Sequence, residues 1–388
     1  MKFPIIKLLF LLIPCVTSCQ TLSVRTVCAL PSVVKESSGL VTESANRFWT
    51  HNDSGGEPAL YQIDSSGNLL KTINIQNATN VDWEEIQLDD VGNLYIGDFG
   101  NNGQNRTNLL IYKVLNFKNK TQESTLNAER IEFSYEGQTA FPPADSLKHF
   151  DAEAMLISSD SIYIFTKDFD SQPYSGKTWV YRLPNATGKH VAKLVDIVPT
   201  DNSWKYKGAI TAATKSADGK VVLLGYTKLY LFTEYTGRAF WRGKLKALDF
   251  NILETAQREA IAFAANDNCR VYLTSELAQG IGGNLSTINI CSYLTPNKEI
   301  AIAEPIVSVY PTPSVSDLFF EVKSSFEDYF KLKVFNSSGH EVFEKPISSG
   351  ENKILLENSL FPSGGLYFYR LFQKDNLPVK VGKIIIVR

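Results

Sequence analysis

Acidic side chains recur in this chain at matching places. Asp82 and Glu84 stand two apart at the head of a strand-like run, Asp151 and Glu153 repeat that spacing, and Glu259 follows Arg258 at the head of a third run. Carboxylates brought to close quarters repel, so such a set needs a cation, a basic partner or protonation. Calcium suits it best by hardness, since carboxylate, amide and carbonyl oxygens are its ordinary ligands. Asn52, Asp53, Asp98, Asn101 and Asn102 offer more oxygens beside these runs, and Lys167 and Arg258 are candidate cationic partners. A structural reading stands beside the metal reading: the acids accept backbone N–H groups at strand corners or pair with Lys167 and Arg258. In a third reading, His51, His149 and Asp53 supply general acid and base groups to a metal-bound water, as in a hydrolase.

The elements that must position these groups come from self-comparison. Glu84 to Leu88, the turn Asp89-Asp90-Val91-Gly92-Asn93 and the run Leu94-Tyr95-Ile96 lead to Gly97-Asp98-Phe99-Gly100-Asn101-Asn102. That strand, turn, strand and polar tip recur. Ser38-Gly39-Leu40-Val41 leads to Phe48 through Gly56, with Trp49 at the place of Tyr95 and Asn52 at the place of Asp98. Further copies start at Asp151, Ile210 and Arg258, and each is trailed by one or two more strand-like runs. Four strands per unit, repeated at roughly 40 to 65 residues, is the pattern of β-propeller blades. Radial repetition also protects strand edges. The expected fold is all-β: a propeller of about five blades, six being possible, with Ser23 to Cys28 as the outer strand that closes the ring. A sandwich or an irregular two-sheet protein is the competing architecture. In a propeller the first strand of each blade lines the channel, so Ser38, Glu84, Glu153, Thr211 and Glu259 should converge on the axis.

The rest of the composition is ordinary. Of 388 residues, 44% are hydrophobic and 21% charged, and the net charge of −2 leaves no footprint for nucleic acid. Residues 1–19 read as a signal peptide: Lys2 and Lys7, an apolar run Leu8 to Ile13, then small residues. An acylated Cys19 after Val16-Thr17-Ser18 is the rival, and no later run is long and apolar enough to span a bilayer. Export puts Cys28, Cys269 and Cys291 where disulfides persist. Cys269 opens one strand and Cys291 ends its expected antiparallel neighbour. Facing positions bring Cα atoms to about 4.5–5.5 Å, so a Cys269–Cys291 bridge and a free, buried Cys28 are expected.

The domains expected are a propeller over 20–300, a linker over 301–312 marked by Glu304-Pro305 and Tyr310-Pro311-Thr312-Pro313, and a small antiparallel sandwich over 313–388. The tail resembles the C-terminal sorting domain of type IX secretion cargo. The resemblance rests on Tyr310-Pro311-Thr312-Pro313-Ser314, where the family favours Asn in place of Thr312, on Lys333 to His340, on Ser363-Gly364-Gly365-Leu366-Tyr367-Phe368, and on the terminal Lys383 to Arg388. It implies the type IX machinery as a partner and a destination at the outer-membrane surface or beyond. The run Glu84 to Asp98 is similar to the acidic strand-turn-strand of calcium-dependent propeller phytases, over one blade and without their clustered basic residues. The functional expectation is a surface or extracellular module that binds a ligand or protein at an acidic, calcium-binding mouth; the alternative is a calcium-dependent hydrolase of phosphoesters or similar bonds. Trp49, Trp83, Trp179, Trp204 and Trp241 are candidates for stacking on sugars, or for packing between blades.

Overall fold

A computed structural model describes residues 21–250, 256–278, 280–294, 306–323, 330–347, 353–373 and 378–388. The stretch read as a signal peptide, with its lipoprotein alternative, lies outside the described residues. The chain divides into two compact units, Met1–Ser292 and Tyr293–Arg388.

The first unit is a five-bladed propeller. Its innermost strands are Ser37–Ser44, Trp83–Leu88, Ala152–Ile157, Ile210–Lys215 and Arg258–Ala264, each touching the next in a closed ring. Each pairs antiparallel with a second strand: Arg47–Asn52, Leu94–Asp98, Ser161–Thr166, Val221–Gly225 and Asp267–Ser275. Blades 2 and 3 join at their outer edges, where Glu129–Tyr135 runs parallel to Gly188–Pro199. Blade 5 holds only three strands from its own stretch. Arg25–Ala29, from the start of the propeller, supplies the fourth by pairing with Asn284–Asn289. That contact closes the ring.

The core lies between blades, because each sheet turns apolar side chains to both neighbours. Trp49 and Trp83 are fully buried between blades 1 and 2, with Ile86, Ile96 and Tyr112. Met155, Ile164 and Tyr181 face Tyr95 and Ile111 between blades 2 and 3, while Phe165, Val180, Leu223 and Phe232 fill the space between 3 and 4. Full burial of Trp49 and Trp83 makes them packing residues. Trp241 packs on Phe240 and donates to Asp196, and Trp179 stacks on His149.

Cys269 and Cys291 form a disulfide, with Cα atoms 5.0 Å apart. Cys28 is unpaired, as the spacing predicts, but only half-buried. It sits opposite Leu285 on the outermost strand of its blade, which has a neighbour on one side only.

The second unit is a sandwich of a three-stranded sheet, Ile306–Tyr310, Leu318–Lys323 and Lys353–Leu356, and a four-stranded one, Glu341–Ile347, Phe330–Asn336, Gly365–Gln373 and Pro378–Ile386. Leu318, Phe320, Leu332, Val334, Leu371 and Ile384 are buried between them. Ile306–Tyr310, inside the stretch read as a linker, is a strand: Val307 and Val309, on either side of Ser308, pack on this core. No described helix is long and apolar enough to cross a membrane.

Candidate functional site: an acidic channel with one buried lysine

Every innermost strand carries a β-bulge at the same place. Pairing skips one residue between Ser37 and Gly39, Trp83 and Glu85, Ala152 and Ala154, Ile210 and Ala212, and Arg258 and Ala260. The skipped residues are Ser38, Glu84, Glu153, Thr211 and Glu259, the set the repeats predict at the axis. A bulge breaks the in–out alternation of a strand and re-aims its extra side chain.

In this protein the bulges gather three carboxylates. Glu84, Glu153 and Glu259 each place an oxygen within 4.8 Å of the other two, and all three are buried. Two further triads share members with this one: Asp53, Asp82 and Glu84, and Asp53, Glu259 and Glu276. The Ser38 hydroxyl donates to Glu84 Oε2 (3.2 Å), and that of Thr211 to the Arg258 carbonyl (2.7 Å), so the two neutral members tie neighbouring blades together.

The second strands supply an upper tier. One residue past the pairs Ser37–Asn52, Ala152–Thr166, Ile210–Gly225 and Arg258–Ser275 stand Asp53, Lys167, Tyr226 and Glu276. All four line a cavity of about 500 Å³ together with Glu84, Glu153 and Glu259. Blade 2 has one residue more. The N–H of Gly100, not of Phe99, bonds to the Asp82 carbonyl, as those of Asp53, Lys167 and Glu276 bond to Glu36, Asp151 and Gln257. A Cβ on Gly100 would stand 2.1 Å from Glu84 Oε1 and 2.5 Å from Asp82 Oδ2. Both carboxylates therefore depend on a bare backbone there.

Lys167 is the cation inside this ring. Its Nζ pairs with Glu153 Oε1 and lies 3.8 Å from Asp151 Oδ2. Burial works against the ammonium, but Glu153 above all, with Asp151 and Glu84, more than reverses this and holds its pKa well above the ordinary lysine range. One lysine does not compensate the set. Burial, with mutual repulsion second, raises Asp53 to about 7, Asp82 to about 6 and Glu276 to about 8, and pushes Glu84 and Glu153 well above the carboxylate range. Oε2 of Glu153 and Oδ1 of Asp53 are buried with no hydrogen-bond partner among the described residues.

Below the ring the channel is crossed. Glu85 Oε2 accepts the N–H of Ala213 (3.0 Å), and Gln87 Nε2 donates to the carbonyl of the same residue (2.8 Å), which joins blade 2 to blade 4 across the axis. Glu85 is not legible as an axial residue from strand alternation, because the bulge turns two consecutive glutamates inward. Glu276 and Tyr226 had a signal: they follow the second strand by the same offset as Asp53 and Lys167.

Other residues singled out by sequence stand apart from the cavity. Asp98 pairs with Arg106 (2.8 Å) and accepts the Asp82 N–H. Asp151 Oδ1 accepts the N–H of Asn101 (2.7 Å), whose own Oδ1 accepts that of Arg106. Asn52 bridges the Val33 carbonyl and the Glu36 N–H. Arg258 donates to the Tyr226 carbonyl, lies 4.1 Å from the Phe250 ring centre and lines a different cavity. Asn102 does line the acidic cavity. His51 is buried with Nδ1 against the Asn52 carbonyl, and His149 stacks on Trp179; neither lines the cavity.

The cavity is also lined by aromatic rings. Phe169, Tyr206 and Tyr226 line it, with ring centres 5.1, 6.2 and 5.8 Å apart in the pairs Phe169–Tyr206, Phe169–Tyr226 and Tyr206–Tyr226. Trp204, half-exposed, leans on Tyr206.

Among solved structures the chain is similar to PorZ, a surface component of the type IX secretion system of Porphyromonas gingivalis, with 13% identity and a TM-score of 0.32 over 91% of this chain and 45% of that one. It is also similar to the extracellular domain of BT4673 from B. thetaiotaomicron (14%, 0.28, over 91% and 43%) and to a gluconolactonase from Xanthomonas campestris (12%, 0.38, over 69% and 89%). The chain thus spans less than half the length of the first two. No curated protein matches it. Residues 308–387 match the family described as the secretion system C-terminal sorting domain, as the tail motifs imply. The protein carries an export address for the cell surface or the extracellular space.

Proposed function

We propose that the exported propeller is a binding module whose acidic channel captures a hard divalent cation, calcium, on Glu84, Glu153 and Glu259. The observation that carries this is the buried, unpartnered Oε2 of Glu153 within a triad whose oxygens lie inside 4.8 Å of one another. Lys167 holds the other oxygen of the same carboxylate. A lone buried carboxylate oxygen is costly, and a cation bound by several oxygens offsets that cost. Asp53 and Glu276 extend the oxygen set towards the mouth. The hydrolytic alternative draws on the same triad, but its two histidines lie away from the cavity and, among the described residues, one lysine is the sole basic side chain on the wall. Calorimetric titration of the chelator-treated protein with calcium tests the reading. The wild type should bind, and the triple variant Glu84→Gln, Glu153→Gln, Glu259→Gln should not. Heat of equal size in both would place the ion elsewhere.

A further inference from the structure

The charge on the cavity wall exceeds what one divalent ion removes. Among the described lining residues, Asp53, Glu84, Glu153, Glu259 and Glu276 face a single ammonium, Lys167. Fully ionised, the wall carries five negative charges against the three positive ones that a divalent ion in the deep triad and that ammonium supply. The surplus falls on Asp53 and Glu276, the carboxylates of the upper tier. The same cavity is lined by three aromatic rings, and ring faces attract cations. The protein already uses one of these faces in this way: Lys205 Nζ lies 3.7 Å from the Phe169 ring centre and 5.8 Å from that of Tyr206.

We infer that the outer part of the cavity binds a primary alkylammonium group, with its alkyl chain against Phe169, Tyr206 and Tyr226 and its nitrogen among Asp53, Glu259 and Glu276. The nitrogen carries hydrogens because the wall demands donors: Oδ1 of Asp53 is buried without one among the described residues, and a primary ammonium brings three while a quaternary one brings none. A volume of about 500 Å³ accommodates a lysine-length chain beside a bound ion. This inference rests on the reading of the channel as a cation site. It adds the chemical class of the ligand. A free diamine and a lysine side chain of an exported peptide present the same group.

The experiment titrates calcium-loaded full-length protein with 1,5-diaminopentane, with an acetylated, amidated Gly-Lys-Gly peptide, and with choline. Saturable binding of either amine, at least tenfold tighter than choline, is expected. The diamine and the peptide arms decide between a free polyamine and a peptide. Phe169→Leu and Tyr206→Leu should each weaken amine binding about tenfold while calcium still binds, measured in the same samples; neither side chain belongs to the oxygen set proposed for the ion. Choline binding as well as the amines, or unchanged amine affinity in both variants, overturns the inference, as does calcium binding with no amine binding. Amine binding to a protein that takes up no calcium would leave this inference standing and remove the metal reading.

Discussion

Lys167 and Glu153 form a buried ion pair at the centre of the propeller, and the second oxygen of that glutamate has no partner among the described residues. The pair comes from one blade: Glu153 is the bulge residue of the inner strand and Lys167 follows the second strand, fourteen positions on. Blade 3 is thus the blade that brings its own counter-charge. Blades 2 and 5 contribute Glu84 and Glu259 with no lysine at the matching place. The ring is partly compensated from within, and the remainder is open to a ligand.

Removal of Lys167 tests how much of the ring it neutralises. Breaking a buried pair by deleting one partner costs about 3–5 kcal/mol, because the other charge is left uncompensated. Lys167→Met should lower stability by that order in chelator, measured by denaturant unfolding. Calcium should restore more stability to the variant than it adds to the wild type, since a ligand of the folded state stabilises by linkage. Equal unfolding midpoints in chelator would mean that protonation, not Lys167, balances the acids.

The raised carboxylates set the pH dependence. Asp53, Asp82 and Glu276 sit at about 7, 6 and 8, above ordinary values of 3.8 and 4.5, so the folded state binds more protons than the unfolded state across that interval. Stability from these groups is full below the unfolded values and is lost as pH rises through the folded ones. His51 and His149, lowered by burial to about 4, act oppositely below 6.5. At pH 6.5 the two histidines of the unfolded state are half protonated, about one proton between them, so from there to pH 8 the raised carboxylates outweigh them. In chelator, thermal stability should therefore fall from pH 6.5 to 8, and calcium should flatten the fall. A rise over that interval would show the acids to be ionised without cost.

Gly100 offers a test that changes no charge. A methyl group there meets Glu84 Oε1 and Asp82 Oδ2 well inside contact distance, and overpacking of this kind costs about 1–3 kcal/mol. Gly100→Ala should weaken calcium binding at least tenfold by displacing Glu84, with a cooperative unfolding transition retained. Unchanged affinity would show that Glu84 is not a ligand.

The repeats made the fold and the ring legible. Ser38, Glu84, Glu153, Thr211 and Glu259 occupy equivalent places because each blade solves the same packing problem, and a shared offset survives divergence of everything else. What the sequence did not reveal follows from one-residue events. The bulge that turns both Glu84 and Glu85 inward, and the extra residue that substitutes Gly100 for Phe99 in the upper tier, shift a side chain from one face to the other without changing composition. The aromatic wall was hidden for another reason: Phe169 and Tyr206 lie on connections after the second and fourth strands of blade 3, outside the repeat. Cys28 was expected to be buried, and an edge strand covers it on one side only.

The two-unit organisation predicts the result of truncation. Removal of residues 293–388 takes away the whole second unit, including the sorting match at 308–387, and no described strand of the propeller. The truncated protein should unfold in a single cooperative transition, keep its calcium response, and accumulate in the periplasm instead of at the surface. Loss of the propeller's transition would show that the sandwich supports its fold, and surface delivery without the tail would remove its role as an address.

The Cys269–Cys291 link belongs to the blade that closes the ring, which gives it more leverage than its position at one blade end suggests. It joins the start of Asp267–Ser275 to the end of Asn284–Asn289, and the latter strand also holds Arg25–Ala29. A closed loop of about 20 residues is worth roughly 3 kcal/mol on the chain-entropy estimate. Cys269→Ser with Cys291→Ser should lower stability by that order. Because ring closure runs through this blade, hydrogen exchange should rise first along Arg25–Ala29 and Asn284–Asn289. The acidic cavity draws on Glu259 and Glu276 of the same blade, so calcium affinity should fall with it. A loss of stability with exchange unchanged in the closing strand would confine the disulfide to the unfolded state and separate it from ring closure.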